Sequence, residues 1–513
     1  MRFMNKCADS QMWLITSLVL GVLAGAMAPQ ACAADQTIRN GVFWKDTSGT
    51  PIYSQGGGIL KVGDTWYWYG AKYAEAVSYA REPLPKPNSA NPTFSAVTAY
   101  SSTDLVNWKF EGDVLKAGAA GKMFDKPGWV GRLGVVHNKR SGKYVLLTQY
   151  GSRENGSGVL FATSDSPTGP FVYQRLQTQI DRVATPTSGD QTVFVDDDGQ
   201  AYLIFSSGGD RRKLYVAPLR ASDFLAVEPA TLVHAAPAGG REGNAMFKYK
   251  GLYYFCSSDL HGWNASRSFY MTATSITGPY TPEKLIEGTE ADFSHVSQNG
   301  FFVPVQGSEA TTVLYAGDRW SNYAANGTGY NIWTPLSFEG AKPVFNSLSE
   351  FRLDAAKGSW SVGKGNNYVR NPGFEADRVT QTGVAGWRTS WTSLKGAAPI
   401  VNTLEGRNSR WALVLRHLDP SMGSAIQDVK LPNGSYTLRA WVRSSGGQGV
   451  ARLFASGHGG PEVAHVFTGA LGDWTQVTLP GIDVRNGSVQ VGVYTEGKDE
   501  QWLMLDDVSL VRD

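Results

Sequence analysis

Residues 251–260 read GLYYFCSSDL, and residues 269–280 read FYMTATSITGPY. The first segment is an aromatic, apolar run that follows a glycine turn, and the second is a strand-like run that ends in a Ser/Thr/Gly turn. Residues 162–171, ATSDSPTGPF, nearly repeat the end of the second segment. Short apolar or alternating runs bounded by Gly, Asp, Ser and Pro predict β-strands. Because the same unit recurs, the sequence indicates a repeat architecture.

Five copies of this unit lie between about residues 40 and 360. The aromatic strands begin near Asp64, Lys143, Gln200, Leu252 and Val313. These starts are 79, 57, 52 and 61 residues apart, which suits four-stranded blades with loops of different length. We predict an all-β protein with a five-bladed β-propeller over residues 35–362; a β-sandwich with coincidental repeats is the alternative. In a propeller the innermost strands surround one central depression, so residues near their starts meet in space.

Composition supports a β-rich protein without a nucleic-acid partner. The 47 Lys and Arg residues nearly balance the 45 Asp and Glu residues, which gives a net charge of +2. Aromatic residues reach 12% and glycine is abundant, with 59 residues. A chain of 513 residues exceeds one ordinary domain, so a second domain is expected.

The first 34 residues have the pattern of a secretory signal peptide. Arg2 and Lys6 form a basic start, residues 13–28 are apolar, and Ala31-Cys32-Ala33 offers a cleavage site. An uncleaved membrane anchor is one alternative, and a lipid anchor at Cys32 is another, although Pro29 does not fit a lipobox. We expect a secreted or periplasmic protein without membrane attachment after cleavage, in which Cys256 remains as a single cysteine.

The sequence pattern changes after Trp360, where a Gly- and Asn-rich passage leads into evenly spaced strands. NPGFE at residues 371–375 and LDDVSLV at residues 505–511 resemble a carbohydrate-binding module of the β-jelly-roll type. This resemblance implies a β-sandwich domain over residues 366–513. A sandwich that binds no ligand is the alternative.

Two carboxylates are placed for chemistry. Asp190, in SGDQTVFV, and Glu242, in GREGNAMF, stand among small residues just ahead of two aromatic strands. Two carboxylates at one pocket are the usual means of breaking a glycosidic bond. For each residue, an ion pair at a blade edge is the alternative. Arg241 need not pair with Glu242, because neighbours on a strand face opposite sides.

Aromatic side chains offer flat faces to sugar rings. The candidates are Trp66, Trp68, Tyr69, His261, Trp263, Trp320 and Tyr323. The run Asp196-Asp197-Asp198-Gly199 predicts a hairpin turn, because the further oxygen ligands of a calcium loop do not follow it. We predict no metal and no cofactor; a structural calcium ion is supported by no clear motif.

Several motifs together resemble glycoside hydrolase family 43 over roughly residues 40–360. They are YSSTDLVNW, ATSDSPTGPF, DDDGQAYLIFSS, GREGNAMF and GDRW. The resemblance implies a five-bladed β-propeller that hydrolyses arabinose, xylose or galactose units of plant polysaccharides with inversion. It assigns the general acid to Glu242 and the orienting, pKa-tuning role to Asp190. The residues expected to bind substrate are Trp68, Tyr69, Arg132, Trp263, Asp318 and Trp320.

The aspartate base of that family is missing. It should fall near residues 54–62, which read SQGGGILKV. This departure resembles the exo-β-1,3-galactanase branch, whose glutamine matches Gln298. Gln298 is therefore predicted to hold the attacking water or to act as a base through a tautomer; a bond to the blade edge is the alternative. Glu75 and Asp292 are the competing candidates for the base.

We accordingly predict an exported inverting exo-glycosidase that releases terminal galactose from β-1,3-galactan or arabinogalactan-type polysaccharide. Gly131 stands where the galactanase branch usually has glutamate, so an α-L-arabinofuranosidase or β-xylosidase is a rival. A non-catalytic, sugar-binding propeller is the other alternative. The second domain is expected to hold the enzyme near a plant-type polymer and to be dispensable for short substrates.

Overall fold

A computed structural model describes residues 36–82, 92–118, 128–235, 239–320, 330–376, 383–393 and 400–513. The predicted signal peptide, with Cys32, and Tyr323 lie outside these ranges. All described residues belong to one compact unit, Gln36–Asp513. Within the described ranges, no helix combines the length and the apolar character needed to cross a membrane.

After a short strand, β1 (Thr37–Arg39), the chain forms five antiparallel sheets of four consecutive strands each. The first contains β2 (Gln55–Val62), β3 (Thr65–Tyr73), β4 (Phe94–Ser102) and β5 (Lys109–Lys116), with helix α1 (Ala74–Arg81) after β3. The second contains β6 (Trp129–Asn138), β7 (Lys143–Ser152), β8 (Gly156–Ser164) and β9 (Val172–Gln177). The third contains β10 (Ser188–Val195), β11 (Ala201–Ser207), β12 (Lys213–Pro218) and β13 (Thr231–Ala235).

The remaining two sheets follow the same order. The fourth contains β14 (Arg241–Tyr249), β15 (Leu252–Asp259), β16 (Ser268–Ala273) and β17 (Lys284–Leu285). The fifth contains β18 (Gln298–Gln306), β19 (Thr311–Arg319), β20 (Tyr330–Glu339) and β21 (Lys342–Phe345), and a short helical segment, α2 (Phe293–Val296), precedes it. Each of the first strands β2, β6, β10, β14 and β18 contacts the next, and β18 contacts β2. The sheets therefore close into a ring, and the predicted five-bladed β-propeller is confirmed.

The blades begin one strand earlier than the aromatic repeat suggested. Lys143 and Leu252 open the second strands β7 and β15, not the innermost strands. The innermost strands escaped notice because they carry small residues where the aromatic strands carry rings. β2, for example, reads QGGGILKV. At Gly57 there is no room for a side chain, because a Cβ there would lie 1.7 Å from the carbonyl oxygen of Tyr69 on the neighbouring strand β3.

Every innermost strand contains a β-bulge near its start. The register shifts lie between Gln55 and Gly58, Gly131 and Leu133, Ser188 and Gln191, Glu242 and Ala245, and Asn299 and Phe301. A bulge leaves one residue unpaired and turns a side chain away from the regular alternation. The unpaired residues are glycines in β2 and β18. The bulges of β6 and β10 contain Arg132 and Asp190, and Glu242 stands at the start of the bulge of β14.

The two ends of the propeller are joined by a three-stranded sheet. β1 pairs with β22 (Glu350–Asp354), which pairs with β23 (Ser359–Val362). The Asn40 side chain donates to the carbonyl oxygens of Trp333 and Leu348, and it accepts from the backbone N–H of Trp333. These bonds hold the first residues against the last blade, which opposes opening of the ring.

In the described residues from 383 onward, ten further strands form two five-stranded sheets. They are β24 (Arg388–Ser393), β25 (Ile400–Thr403), β26 (Ala412–Arg416), β27 (Ser421–Lys430), β28 (Gly434–Ser444), β29 (Val450–Ser456), β30 (Val463–Val466), β31 (Leu471–Val484), β32 (Ser488–Gly497) and β33 (Trp502–Arg512). One sheet has the order β24-β27-β32-β29-β30, and the other has the order β25-β26-β33-β28-β31. Both sheets supply side chains to one apolar core, including Leu438, Leu453, Val491 and Leu505.

Segment α2 is a single left-handed turn. The φ angles of Phe293, Ser294, His295 and Val296 are 48°, 55°, 57° and 55°. None of these residues is glycine, and L-residues normally visit this region one at a time. The turn lies directly before Gln298, and the region after residue 366 packs against it: Val296 shares a small apolar cluster with Ala265 and Ala376.

Candidate active site

A pocket of about 380 Å³ opens at the bulged ends of the innermost strands. Its walls are Gly128, Trp129, Arg132, Gln149, Asp190, Gly209, Arg211, Glu242, Leu260, Gly262, Trp263, Gln298 and Trp320. Six residues predicted from the sequence are therefore brought together: Arg132, Asp190, Glu242, Trp263, Gln298 and Trp320. They come from four different blades, so closure of the ring brings them together.

Glu242 lies in the bulge of β14 and is 5% exposed. Its Oε2 accepts a 2.7 Å hydrogen bond from Nη1 of Arg211. Its Oε1 is buried and has no hydrogen-bond partner among the described residues. Burial and the negative charge of Asp190 raise the pKa of Glu242 to about 8, against the opposing effect of Arg211 and Arg132. A carboxyl group in this state carries a proton at neutral pH.

Asp190 is ionised because three donors surround its carboxylate. Nε of Arg132 lies 2.8 Å from Oδ2, and Nη1 of Arg211 lies 2.7 Å from Oδ1. The backbone N–H of Gly243 donates to Oδ2 at 3.0 Å. Burial acts to raise the pKa of Asp190, but the two arginines and this N–H outweigh it and lower the pKa. Two neighbouring carboxyl groups thus hold opposite protonation states.

Arg211 joins the two acids and was missed in the sequence. Its Nη1 contacts both Asp190 and Glu242 at 2.7 Å. It lies in the turn between β11 and β12, within SGGDRRKL, where a basic pair looks like an ordinary solvated loop. The two predicted acids themselves indicated that a cationic side chain should lie near them, because two buried carboxyl groups at one pocket require a cation. Arg241, in contrast, pairs with Glu283 and faces away from Glu242, as predicted.

Arg132 is a buried wall residue of the pocket that contacts several other site residues. Besides Asp190, its guanidinium contacts Oδ2 of Asp318 at 3.3 Å and donates to the side-chain oxygen of Gln298. It also lies over the ring of Trp320, with its guanidinium carbon 5.0 Å from the ring centroid. Arg132 has a φ of 48° and sits in the bulge of β6, which turns its side chain inward.

The orientation of the Gln298 amide follows from its neighbours. Its oxygen accepts from Arg132 and, at 2.9 Å, from Nε1 of Trp320. Both neighbours are donors only, so the oxygen must face them. The Nε2 atom is buried and has no hydrogen-bond partner in the described part of the chain. The amide is thus fixed with its oxygen toward Arg132 and Trp320.

Three tryptophans form the aromatic wall of the pocket. The ring centroids of Trp129 and Trp263 are 5.3 Å apart, those of Trp263 and Trp320 are 5.5 Å apart, and those of Trp129 and Trp320 are 6.0 Å apart. Trp129 was not among the sequence candidates, although it lies only three residues before Arg132. Nε1 of Trp129 donates to Gln149, which fixes this ring.

Several predicted side chains do not line the pocket, which corrects the sequence analysis. Trp68 is fully buried among Trp44, Trp108 and Trp333. Tyr69 is also buried, and its hydroxyl group donates to the carbonyl oxygen of Pro167. Trp68 and Tyr69 are neighbours in the aromatic run of β3. Trp68 shares an apolar cluster with Trp333 of the fifth blade, and Tyr69 shares one with Leu133 of the second blade, so both rings pack between blades.

Asp318 lies behind the pocket rather than in its lining. It is 2% exposed and accepts from the backbone N–H of Gly56 at 2.8 Å while it pairs with Arg132. Burial raises the pKa of Asp318 to about 6, and the charge of Arg132 opposes this effect. Its contacts indicate that it orients Arg132 and does not bind sugar directly.

The competing bases also lie elsewhere. Glu75 is on α1 and accepts from Thr93, and Asp292 caps the left-handed turn. Gly131 has no room for the missing glutamate, because a Cβ there would lie 2.5 Å from Trp129 and 2.8 Å from the hydroxyl of Tyr73.

Residues 196–199 form the predicted hairpin turn. In the described ranges no group of three or more His, Cys, Asp or Glu side chains is placed to hold a metal ion. The prediction of no cofactor remains a prediction.

Comparison with known proteins identifies the family. The sequence profile of glycosyl hydrolases family 43 matches residues 58–332, more than half of the chain. This span contains the innermost strands of blades two to five, most of β2 and all the pocket residues named above. The chain therefore belongs to glycosyl hydrolases family 43.

Individual relatives are distant. A β-D-galactofuranosidase of Aspergillus niger is 27% identical over 42% of this chain and 66% of its own length. An arabinoxylan arabinofuranohydrolase of Paenibacillus polymyxa is 27% identical over 36% of this chain and 33% of its own length. The crystal structure of an exo-β-1,3-galactanase from Phanerochaete chrysosporium, with β-1,3-galactotriose, is 25% identical with a TM-score of 0.56. That similarity covers 92% of this chain and the whole of the other.

Proposed function

We propose that the protein is an inverting exo-glycoside hydrolase that releases terminal galactose from β-1,3-galactan or arabinogalactan-type polysaccharide. The observation that carries this proposal is the buried pair Glu242 and Asp190 at one pocket, joined by Arg211, which bonds to both. A pocket that only binds sugar has no need of a buried proton donor, whereas glycosidic cleavage requires one. The pocket volume and its tryptophan wall suit one sugar ring at the end of a chain.

Glu242 acts as the general acid. Arg211 occupies its Oε2, so Oε1 is the oxygen that carries the proton to the leaving glycosidic oxygen. Asp190 keeps the proton on Glu242, since its negative charge opposes ionisation. After the bond breaks, Glu242 is ionised and Arg211 stabilises the new carboxylate. Solvent then returns the proton.

Gln298 positions the attacking water. Its oxygen accepts two hydrogen bonds, which disfavours a tautomer with a hydroxyl group at that atom. The NH₂ group can donate to the oxygen of a water molecule at the anomeric carbon. This water forms the new C–O bond as the glycosidic C–O bond breaks, and its surplus proton leaves to bulk water. The tautomer mechanism is accordingly the weaker of the two predictions for Gln298.

The galactose assignment rests on the absence of an acid at residues 54–58 and on the similarity to the exo-β-1,3-galactanase. Ser54, Gln55 and three glycines fill that segment, and the Gln55 amide donates to the carbonyl oxygen of Arg319. The second candidate is an α-L-arabinofuranosidase. The relative named as an arabinoxylan arabinofuranohydrolase and the lack of an acid at Gly131 favour it.

We further propose that residues 366–513 form a β-sandwich carbohydrate-binding domain and that the protein is exported. Two five-stranded sheets with a common core support the sandwich. The amino-terminal pattern supports export. A second sugar contact would keep the pocket near its polymer by raising the effective concentration.

The test is product analysis with two substrate classes. Purified protein is incubated with β-1,3-galacto-oligosaccharides and with arabinosylated xylo-oligosaccharides, and the released monosaccharide is identified by chromatography. Proton NMR during the first minutes follows the anomer. We expect galactose, released first as the α-anomer. Released arabinose would favour the rival enzyme, a β-anomer would exclude inversion, and binding without release would indicate a non-catalytic propeller.

Glu242→Gln and Glu75→Gln serve as matched variants in that assay. Glu242→Gln keeps an oxygen for Arg211 but removes the proton, so turnover of unactivated substrates falls by roughly two to four orders of magnitude. Glu75 bonds to Thr93 outside the pocket, and its variant keeps wild-type turnover. Full activity in Glu242→Gln would show that another group is the acid.

A further inference from the structure

We propose that the left-handed turn Phe293–Val296 positions the Gln298 amide, and that His295 and Ser347 are positioning residues that hold this turn together with the region after residue 366. The inference rests on the proposed role of Gln298. It concerns a segment that does not line the pocket.

Four consecutive non-glycine residues in the left-handed region form an energetically costly backbone. Such a turn persists only where its surroundings fix it. Ser297 follows the turn, and Gln298 opens β18 immediately afterwards. If the turn relaxed to ordinary backbone angles, the start of β18 would shift, and the Gln298 amide would move with it.

A buried polar network holds the turn from inside. Asp292 accepts from the backbone N–H of His295 at 2.9 Å and from the hydroxyl group of Ser347. Because the single hydroxyl proton of Ser347 goes to Asp292, its oxygen is the acceptor for Nδ1 of His295, 2.7 Å away. Burial lowers the pKa of His295 to about 4, so the ring stays neutral in this network.

One further side chain, Arg319, holds the turn through two hydrogen bonds. The Arg319 guanidinium donates to the carbonyl oxygens of Val296 and His295 at 3.0 and 3.1 Å. Arg319 stands between Asp318 and Trp320, so the same segment supports the turn and bonds to Gln298.

The region after residue 366 contributes on the other side. Nη1 of Arg370 donates to the carbonyl oxygen of Ser347 at 2.9 Å, and Ala376 packs on Val296. This region therefore contacts the turn and one of the residues that fix it. Its effect on the pocket would pass through the turn to Gln298.

The test uses Ser347→Ala in the full chain, with Ser421→Ala as the matched control. Ser421 is also buried, and its hydroxyl oxygen lies 2.8 Å from Nδ1 of a buried histidine, His417, in the region after residue 366. On short oligosaccharides, we expect Ser347→Ala to lower kcat about ten- to hundredfold with KM changed less than about twofold, the scale of a displacement near 1 Å. Ser347→Thr, which keeps the hydroxyl group, restores kcat. Ser421→Ala lowers thermal stability to a similar extent and leaves kcat unchanged.

A second readout does not depend on hydrolysis. Nε1 of Trp320 donates to Gln298, so the indole ¹H–¹⁵N resonance of Trp320, assigned with Trp320→Phe, reports the amide position. This resonance shifts in Ser347→Ala and not in Ser421→Ala, even if the wild-type protein releases no sugar. If Ser347→Ala does not fold, Arg370→Ala replaces it, with the same expectation. An unchanged Trp320 indole resonance together with wild-type kcat in Ser347→Ala would overturn the proposal. Equal changes of kcat and of this resonance in the Ser421→Ala control would also overturn it.

Discussion

Glu242 and Asp190 show how one local difference separates two chemically similar side chains. Asp190 receives two guanidinium groups and a backbone N–H, whereas Glu242 receives one guanidinium group and leaves Oε1 unbonded within the described residues. Asp190 stays ionised, and burial together with the charge of Asp190 keeps Glu242 protonated. The donor count around each carboxyl group therefore decides the roles.

Asp190→Asn should move the alkaline limb of the pH profile. The pKa of Glu242 is about 8, so kcat/KM of the wild type falls as the pH rises through this value. The charge of Asp190 raises that pKa; without it, Glu242 ionises more easily and the limb moves to lower pH. Turnover at neutral pH falls by about tenfold or more. Asp196→Asn, at a surface pair with Lys248, is the control. An unshifted limb would remove the tuning role of Asp190.

Gln298→Ala and Gln298→Glu separate positioning of water from packing. The alanine variant loses the NH₂ group and leaves Arg132 and Trp320 without their acceptor. We expect kcat to fall by about two orders of magnitude. The glutamate variant keeps an acceptor for both donors, and its second oxygen can bind the water, so it retains more activity. Wild-type kcat in Gln298→Ala, measured on galacto-oligosaccharides, would contradict this role.

At the scale of elements, the β-bulges bring the site together. The sequence predicted the strands, since apolar alternation and turn residues report them directly. It did not predict the bulges, because a bulge depends on how two strands pair across the sheet. Arg211 was missed because it lies in a turn that looks like an ordinary solvated loop, and Trp129, which opens β6, was missed as well. Trp68 and Tyr69 were chosen wrongly. Their aromatic character was visible, but the direction of each side chain was not.

Gly243→Ala tests the bulge that presents Glu242. Gly243 has a φ of 56°, and an added Cβ would lie 2.2 Å from the carbonyl oxygen of Asn299. The left-handed conformation costs roughly 1–2 kcal/mol. Overpacking adds roughly 1–3 kcal/mol. We expect a clearly lower Tm and reduced kcat, because the Gly243 N–H also bonds to Asp190.

Gly199→Ala is the matched control for that variant. Gly199 has a φ of 84° in the hairpin turn, and nothing lies within 4 Å of the added Cβ. It carries the conformational cost alone, so its Tm should fall less and its kcat should stay at the wild-type value. Equal losses of Tm in the two variants would show that close approach at Gly243 does not matter.

At the scale of the whole molecule, repeat spacing made the propeller predictable. The family motifs also indicated Glu242, Asp190 and Gln298 as neighbours, and the closed ring brings them to one pocket. Contacts between the propeller and the following region could not be predicted in the same way. They involve isolated residues such as Arg370 and Ala376, which carry no pattern at sequence level.

Removing residues 366–513 is therefore expected to affect more than polymer binding. The truncation takes away the Arg370 bond to Ser347, the apolar contact of Ala376 with Val296, and the Asn366 side chain that accepts from the backbone N–H of Ser349. Loss of these contacts loosens the left-handed turn, so kcat on short galacto-oligosaccharides falls by about tenfold. Activity on long polysaccharide falls further, because the second sugar contact is lost too. Kinetics on short and long substrates, with a melting curve of the truncated chain, separate the two effects. A folded truncated chain with unchanged kcat on short substrates would show that the second region serves the polymer alone, as the sequence had suggested.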